Sequence, residues 1–327
     1  MGKTVKILSI DGGGIRGIIP ALILAEIEQR TGKPICQMFD LIAGTSTGGI
    51  LALGLTRPDD TGQPAYRAED LVRLYKTEGP VIFSRSVWHR IRAMGSIVEE
   101  KYPADGIECV LDRYFGTARL KDALTEVLVP SYEIERRVPF FFKSRYAKEK
   151  PEYDFPMKTV ARATSAAPTY FEPVQIITDD GLDYYALIDG GVFANNPALC
   201  AYAEAIRMFP GAEDFVLVSL GTGELTRPLS YEEVKGWGLF RWAQPILNVV
   251  FDGVSDTIDY QLQQLLPDRN GQKRYYRFQT RLDEGNDDLD DASNTNLRVL
   301  QLLAETLIQG QSREIDRLCE RLTALKL

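Results

Sequence analysis

The sequence has little of what several common kinds of site require. It contains a single histidine, His89, among 327 residues, so a mechanism or metal centre that needs several histidines is excluded by count. Its four cysteines form no Cys-x-x-Cys pair, and neither a disulfide framework nor a structural zinc site is expected. The acidic pairs lack the alternating spacing of a calcium-binding loop. We therefore predict that the protein uses no metal and no cofactor.

Basic residues are too few for a nucleic-acid-binding surface. Thirty-eight lysines and arginines stand against 46 aspartates and glutamates, which gives a formal net charge of −8. Such a protein gains little from the phosphates of nucleic acids, so no nucleic acid polymer is expected as a partner. No apolar run approaches the roughly 18 residues of a membrane-spanning helix. The apolar stretch at the N-terminus is too short for a signal peptide, and these observations favour the cytoplasm.

Strand-like and helix-like segments alternate along the first 220 residues. This alternation predicts an α/β fold with a mostly parallel central sheet flanked by helices on both faces, a three-layer sandwich. Beyond about residue 225 the strand pattern fades and helical periodicity dominates. We therefore expect a main domain over residues 5–225 and a mainly helical C-terminal region over residues 226–327, packed on it.

Glycine-rich turns follow three of the predicted strands, at residues 11–17, 44–49 and 189–191. Ligands of open parallel sheets bind beyond the carboxyl ends of the strands, so these turns are the candidate site. The second turn matches Gly-x-Ser-x-Gly between an apolar strand and an apolar helix, where Ser46 would be an exposed nucleophile. The alternative is a glycine-rich turn with an incidental serine.

The first turn contains the spacing Gly-x-Gly-x-x-Gly, which is also found in dinucleotide-binding sites. Such a site needs an acidic residue at the end of the second strand, whereas Asp40 begins that strand. The same geometry offers free backbone N–H groups at a helix N-terminus that could stabilise an oxyanion. Arg16 would stabilise charge or brace the loop. The alternative is that residues 12–17 form a purely structural turn.

A serine nucleophile also needs a general base. His89 follows Ser46 closely and lies in a charged segment, whereas the histidine of an α/β-hydrolase comes late in the chain. Asp189 ends an apolar strand, and the two glycines after it allow a tight turn that leaves its carboxylate facing the cleft. We prefer Asp189 as the base, although Asp-Gly-Gly alone is as often only a turn.

Together these residues resemble the patatin-like phospholipases. Three sequence motifs of that family occur in order, at residues 11–17, 44–48 and 189–191. Residues 164–171, 195–197 and 219–223 also match segments of the family. The resemblance covers about residues 5 to 223. It implies a patatin-like three-layer sandwich, with the catalytic domain over residues 5–225.

The resemblance also implies a mechanism without histidine. Ser46 would attack an acyl ester with Asp189 as general base, in a calcium-independent lipid acyl hydrolase of phospholipase A type acting at the membrane surface. The family pattern assigns the oxyanion hole to Gly12, Gly13 and Gly14, and supporting roles to Arg16, Gly44, Gly48 and Gly190. Similar proteins include bacterial antiviral effectors, some switched on by a cyclic nucleotide, so a small-molecule activator and a homo-oligomer are left open. The alternatives are a small-substrate esterase or thioesterase, and a nucleotide-binding regulatory module that uses residues 12–17.

An apolar stripe with helical spacing covers residues 237–266, with aromatic residues at its front. The preferred interpretation is a helix pair packed on the main domain, because the polar face is acidic where a membrane-surface helix would be basic. The alternative is a cap near the mouth of the site, whose end from Trp237 to Trp242 contacts lipid or a partner subunit.

Overall fold

The computed structural model describes residues 3–82, 104–178, 181–224, 228–242, 245–282 and 288–324. His89 lies outside these ranges. In the described part of the chain, no helix has both the length and the apolar character needed to cross a membrane.

One sheet of eight strands organises the fold. Neighbouring strands follow the order β5-β6-β3-β2-β1-β7-β8, and β4 pairs with β3. The pairs β1–β2, β1–β7, β2–β3 and β7–β8 are parallel, which confirms the predicted mostly parallel sheet. The strands are β1 (Thr4–Ile10), β2 (Leu41–Gly44), β3 (Glu126–Glu133), β4 (Val138–Lys143), β5 (Val174–Ile177), β6 (Tyr184–Asp189), β7 (Asp214–Leu220) and β8 (Tyr275–Phe278).

Helices cover both faces of this sheet. In β1, Val5 and Ile7 belong to one apolar cluster and Leu8 and Ile10 to another, as the two-residue period of a strand requires when both faces are buried. The helices are α1 (Ile18–Thr31), α2 (Ile35–Met38), α3 (Thr47–Thr56), α4 (Ala68–Ile82), α5 (Ala104–Phe115), α6 (Ser144–Glu149), α7 (Met157–Thr164), α8 (Gly191–Ala194), α9 (Ala198–Met208), α10 (Tyr231–Val234), α11 (Leu239–Trp242), α12 (Pro245–Leu265), α13 (Asn294–Gly310) and α14 (Ser312–Thr323).

Strands β2 and β6 point at each other along the same edge of β3. Leu128 of β3 pairs with both β2 and β4, and Ser131 of β3 pairs with both β6 and β4. Because a strand has only two edges, β2 and β6 must share the edge opposite β4. β2 runs parallel to β3 and β6 antiparallel, so their carboxyl ends converge. The turns that carry Ser46 and Asp189 therefore meet, although the alternation of elements did not predict an antiparallel β6.

The C-terminal third contributes a strand to the same sheet. β8 (Tyr275–Phe278) pairs in parallel with β7, in a region where the sequence predicted helices. Its helix α12 packs against α8, α9 and β8 and buries Phe251, Ser255 and Leu262. This third of the chain therefore supplies side chains close to the glycine turns.

Candidate functional site

Ser46 occupies a sharp turn between β2 and α3. Its φ of 55° and ψ of −122° lie where a non-glycine residue is rarely found, so the surroundings must hold it there. A Cβ atom at Gly44 would lie 2.0 Å from the carbonyl oxygen of Gly48, and one at Gly48 would lie 2.2 Å from that of Ile10. Both positions therefore require glycine, and the turn leaves the Ser46 side chain partly exposed.

The hydroxyl of Thr164 joins the nucleophile turn to β3. The Ser46 amide donates a hydrogen bond to Thr164 Oγ1 at 2.9 Å, and this hydroxyl donates to the carbonyl oxygen of Pro130 at 2.6 Å. A Cβ atom at Gly190 would lie 2.4 Å from the same Pro130 oxygen. Pro130 therefore lies at the point where the two converging strand ends meet.

Asp189 is the buried carboxylate of the site. It is 2% exposed, and its Oδ1 accepts a hydrogen bond from the Gly191 amide at 2.7 Å. The Asp189 amide donates to the carbonyl oxygen of Ala166 at 3.0 Å, which fixes the backbone at the end of β6. Burial raises the pKa of Asp189 to about 7, against the opposing effect of hydrogen bonds from the Ser46 hydroxyl and the Gly191 amide. The carboxyl group is therefore poised between its two protonation states near neutral pH.

The glycine loop after β1 has two backbone amides without a partner in the described part of the chain. The Gly12 amide donates to the carbonyl oxygen of Asn195 at 2.9 Å, and the Ile15 amide donates to that of Leu289 at 2.9 Å. The amides of Gly13 and Gly14 make no hydrogen bond within the described residues, and Gly14 lines the same pocket as Ser46. Of the three predicted oxyanion-hole residues, these two retain a free donor, whereas the donor of Gly12 is already used.

Side chains from later parts of the sequence pack tightly on this loop. A Cβ atom at Gly12 would lie 2.4 Å from Asn195 Oδ1, and one at Gly13 would lie 2.2 Å from Thr222 Oγ1. The Thr222 hydroxyl also donates to the carbonyl oxygen of Gly12 at 2.6 Å. The loop requires glycine because these side chains leave no room for a Cβ atom.

Asp11, directly before the loop, forms a buried ion pair that the sequence did not reveal. Nη2 of Arg277 in β8 donates to Asp11 Oδ2 at 2.7 Å, and its Nη1 donates to Ser219 Oγ at 2.8 Å. Burial raises the pKa of Asp11, while the Arg277 charge opposes this effect. A carboxylate at the end of a buried strand was a signal that a cation or hydrogen-bond donors lie nearby, but nothing local pointed to Arg277.

Arg16 lies under the same loop. It is buried, and its Nε donates a long hydrogen bond of 3.4 Å to the carbonyl oxygen of Gly13. Its charge also lowers the pKa of Asp252 in α12, although burial has the larger effect and raises that pKa to about 6. These contacts give Arg16 a bracing position, which was one of its two predicted roles.

An apolar pocket opens beside Ser46. No residue of its described lining carries a charge, and its polar side chains are hydroxyl groups. The lining consists of Gly14, Ile15, Ser46, Thr47, Ile50, Leu74, Tyr75, Gly79, Ile82, Ile107, Ser165, Tyr170, Phe171 and Leu289. The pocket therefore suits a hydrocarbon group that ends at the serine.

The described ranges contain no group of three or more histidine, cysteine, aspartate or glutamate side chains that could hold a metal ion. His89 falls outside these ranges, so the preference for Asp189 over His89 as the general base stays a prediction. The expectation that the protein needs no metal also stays a prediction.

The fold and the site together define an α/β protein whose serine lies on a strand–turn–helix elbow, beside a buried aspartate. The sequence model described as patatin-like phospholipase matches residues 8–202. The chain belongs to the patatin-like phospholipase family, which confirms the resemblance found in the sequence.

Curated relatives extend the similarity beyond that segment. Patatin-like protein 4 of Arabidopsis thaliana is 32% identical, with 94% of this chain and 84% of that protein covered. Patatin of Solanum tuberosum is 34% identical, with 94% and 85% covered. This coverage reaches past residue 223, where the sequence resemblance was expected to end. A further relative, "Probable inactive patatin-3-Kuras 1" of Solanum tuberosum, is 34% identical with 96% and 89% covered, so activity must be argued from the site itself.

Proposed function

We propose that the protein is a lipid acyl hydrolase of phospholipase A type, with Ser46 as nucleophile and Asp189 as general base. The observation that carries this proposal is the buried Asp189 carboxyl beside the Ser46 hydroxyl, which lowers the pKa of that carboxyl, at the mouth of an apolar pocket. Nucleophile and base within hydrogen-bonding reach of each other are the signature of covalent catalysis.

The reaction would proceed in two steps. Asp189 takes the proton of the Ser46 hydroxyl as its oxygen attacks the ester carbonyl, and the amides of Gly13 and Gly14 donate to the resulting oxyanion. The protonated Asp189 then gives its proton to the leaving alcohol oxygen, which leaves an acyl group on Ser46. Asp189 next deprotonates a water molecule that attacks the acyl-enzyme, and the fatty acid leaves as Ser46 recovers its proton.

The raised pKa of Asp189 suits this double role. A carboxylate with the ordinary pKa of 3.8 is a weak base toward a hydroxyl group, whereas burial brings the pKa to about 7. A general base works best when its pKa lies near the working pH, because it then both accepts and returns a proton. No charged side chain among the described residues raises the pKa of Asp189, and burial raises it instead.

Exposed apolar residues occur in α11, in the first turns of α12 and in the segment before them, and we propose that they form a surface that contacts the lipid bilayer. Leu239 of α11 is 94% exposed. The exposed large apolar residues of this surface are Leu229, Tyr231, Leu239, Ile246 and Val249. Farther along α12, Phe251 lies against Gly191, beside the catalytic turn. Peripheral contact here would bring lipid to Ser46 without a membrane-spanning helix.

The nucleophile is tested by Ser46→Ala. We expect this variant to lose hydrolysis of both a soluble p-nitrophenyl ester and phospholipid vesicles, with an unchanged melting temperature. Full activity in Ser46→Ala would overturn the proposal. If the wild-type protein hydrolyses only monomeric esters and releases no fatty acid from vesicles, the small-substrate esterase or thioesterase would be favoured.

The lipid-facing surface is tested by Leu239→Ser. Its matched control is Leu182→Ser, which changes another highly exposed leucine (87%) in the turn between β5 and β6. Leu239→Ser should slow hydrolysis of vesicle lipid while leaving soluble-ester hydrolysis unchanged, and Leu182→Ser should change neither rate. Equal vesicle rates for both variants would remove this surface from the proposal.

We also propose that the hydrolase needs no calcium, so activity should persist in EDTA. Complete loss in EDTA, restored by calcium, would contradict the Ser46–Asp189 mechanism.

A cytoplasmic location, an antiviral role, a cyclic-nucleotide activator and a homo-oligomer stay predictions from the sequence, and so does a separate catalytic domain over residues 5–225.

A further inference from the structure

One hydroxyl group in the wall of the apolar pocket is buried and has no hydrogen-bond partner within the described residues. It belongs to Ser165, which is 7% exposed. The other small hydroxyls of the pocket are engaged, since Ser46 bonds to Asp189 and Thr47 Oγ1 lies 2.5 Å from the Tyr75 hydroxyl. Burying a hydroxyl without a partner lowers stability, and an alanine of nearly the same size would avoid that cost.

Ser165 lies between the two residues that hold the nucleophile and the base. Thr164, directly before it, accepts the hydrogen bond of the Ser46 amide at 2.9 Å. Ala166, directly after it, accepts the hydrogen bond of the Asp189 amide at 3.0 Å through its carbonyl oxygen. The backbone of Ser165 is therefore fixed relative to both reacting groups, and Ser165 lines the pocket that contains Ser46.

We propose that Ser165 is a substrate-binding residue whose hydroxyl donates a hydrogen bond to an oxygen of the bound acyl ester. This inference rests on the proposed function. A hydrocarbon chain has no acceptor atom, so within this pocket the acceptor must belong to the ester group that reacts with Ser46. Ser165 would thereby hold the ester end of the substrate while the apolar wall holds the chain.

The chain offers a matched control in Ser9 of β1. Ser9 is fully buried, its hydroxyl has no partner within the described residues, and it is not part of the pocket lining. Both Ser165→Ala and Ser9→Ala remove a buried hydroxyl that makes no bond, so neither should lower the melting temperature. Only Ser165→Ala should lower kcat/KM, by about tenfold, the effect of losing one hydrogen bond to the substrate.

An oxygen ester and a thioester with the same acyl chain identify the acceptor. A larger loss for Ser165→Ala on the oxygen ester assigns the bond to the alcohol oxygen, because sulfur is a weak acceptor. An equal loss on both substrates assigns it to the carbonyl oxygen. Wild-type kcat/KM on both substrates in Ser165→Ala, or an equal loss in Ser9→Ala, would overturn the inference. Full activity in Ser46→Ala would instead show that the proposed function itself is wrong.

Discussion

Two aspartates of this protein share a local sequence and a degree of burial but not their partners. Asp11 and Asp189 each stand at the end of a strand before two glycines, and each is 2% exposed. The Asp11 carboxylate is bonded to the Arg277 guanidinium at 2.7 Å. The Asp189 carboxylate is bonded only to neutral groups in the described part of the chain, the Ser46 hydroxyl and the Gly191 amide.

The partner decides what each carboxylate can do. Burial raises the pKa of both, but at Asp11 the guanidinium opposes this effect and favours the charged form. Asp11 therefore serves as one half of an ion pair that anchors the glycine loop to β8. Among the described residues Asp189 has no such counter-charge, so its proton can move at neutral pH, as a general base requires.

The largest expected effect distinguishes the two aspartates by activity. Asp189→Asn removes the proposed base, and we expect kcat on a soluble ester to fall roughly 10²–10⁴-fold. The same variant should not be less stable, because it removes a buried charge that has no cation beside it. Asp11→Asn should lose much less activity and should have a lower melting temperature, because Arg277 stays buried without its carboxylate. Activity and melting temperature would be measured for both variants. A similar loss of activity in both would contradict the assignment of different roles to Asp189 and Asp11.

The ion pair gives the next largest effect. Arg277→Met leaves the Asp11 carboxylate buried without a cation, and breaking a buried pair in this way costs about 3–5 kcal/mol of unfolding free energy. Arg277→Lys should recover part of this loss because it keeps the charge. In urea unfolding, the double variant Asp11→Asn/Arg277→Met should lose less than the sum of the two single variants. Strict additivity would show that the pair does not act as a unit.

A third expected effect is the pH dependence of stability. The pKa of Asp189 is about 7 in the folded protein, against 3.8 for an ordinary aspartate, so the folded state keeps a proton that the unfolded chain releases. The stability from that proton is fully present below about pH 4 and is lost as the pH rises to about 7. Asp189→Asn has no proton to lose there, so its stability relative to wild type should increase over this range. A constant difference in unfolding free energy between pH 4 and pH 8 would contradict the raised pKa.

The sequence was sufficient where the candidate site depends on local pattern. Ser46 and the glycine loop could be predicted because a strand, a glycine turn and a helix follow one another within a few residues. Asp189 could be predicted as a strand-end carboxylate, and the family resemblance then linked it to Ser46. The predicted parallel sheet needed only the alternation of strands and helices.

The rest depended on contacts between distant parts of the chain. Strand β8 has four residues, one of them Arg277, and becomes a strand by pairing with β7, so no local period marked it. The direction of β6 is set by its pairing with β3 rather than by its own residues. The Gly12 amide could not be excluded as an oxyanion donor until Asn195 was found to accept its hydrogen bond.

The central claim is that Asp189 activates Ser46, and the pH dependence of Ser46 acylation tests it most directly. A p-nitrophenyl ester would be mixed rapidly with the protein, and the acylated peptide would be quantified by mass spectrometry between pH 5 and pH 9. We predict acylation of Ser46 at a rate that rises with pH through about 7 and then levels off, as the Asp189 carboxyl ionises. The same rise should be absent in Asp189→Asn, whose rate should be at least about 100-fold lower. Acylation at another residue, or an unchanged rate and midpoint in Asp189→Asn, would contradict the account.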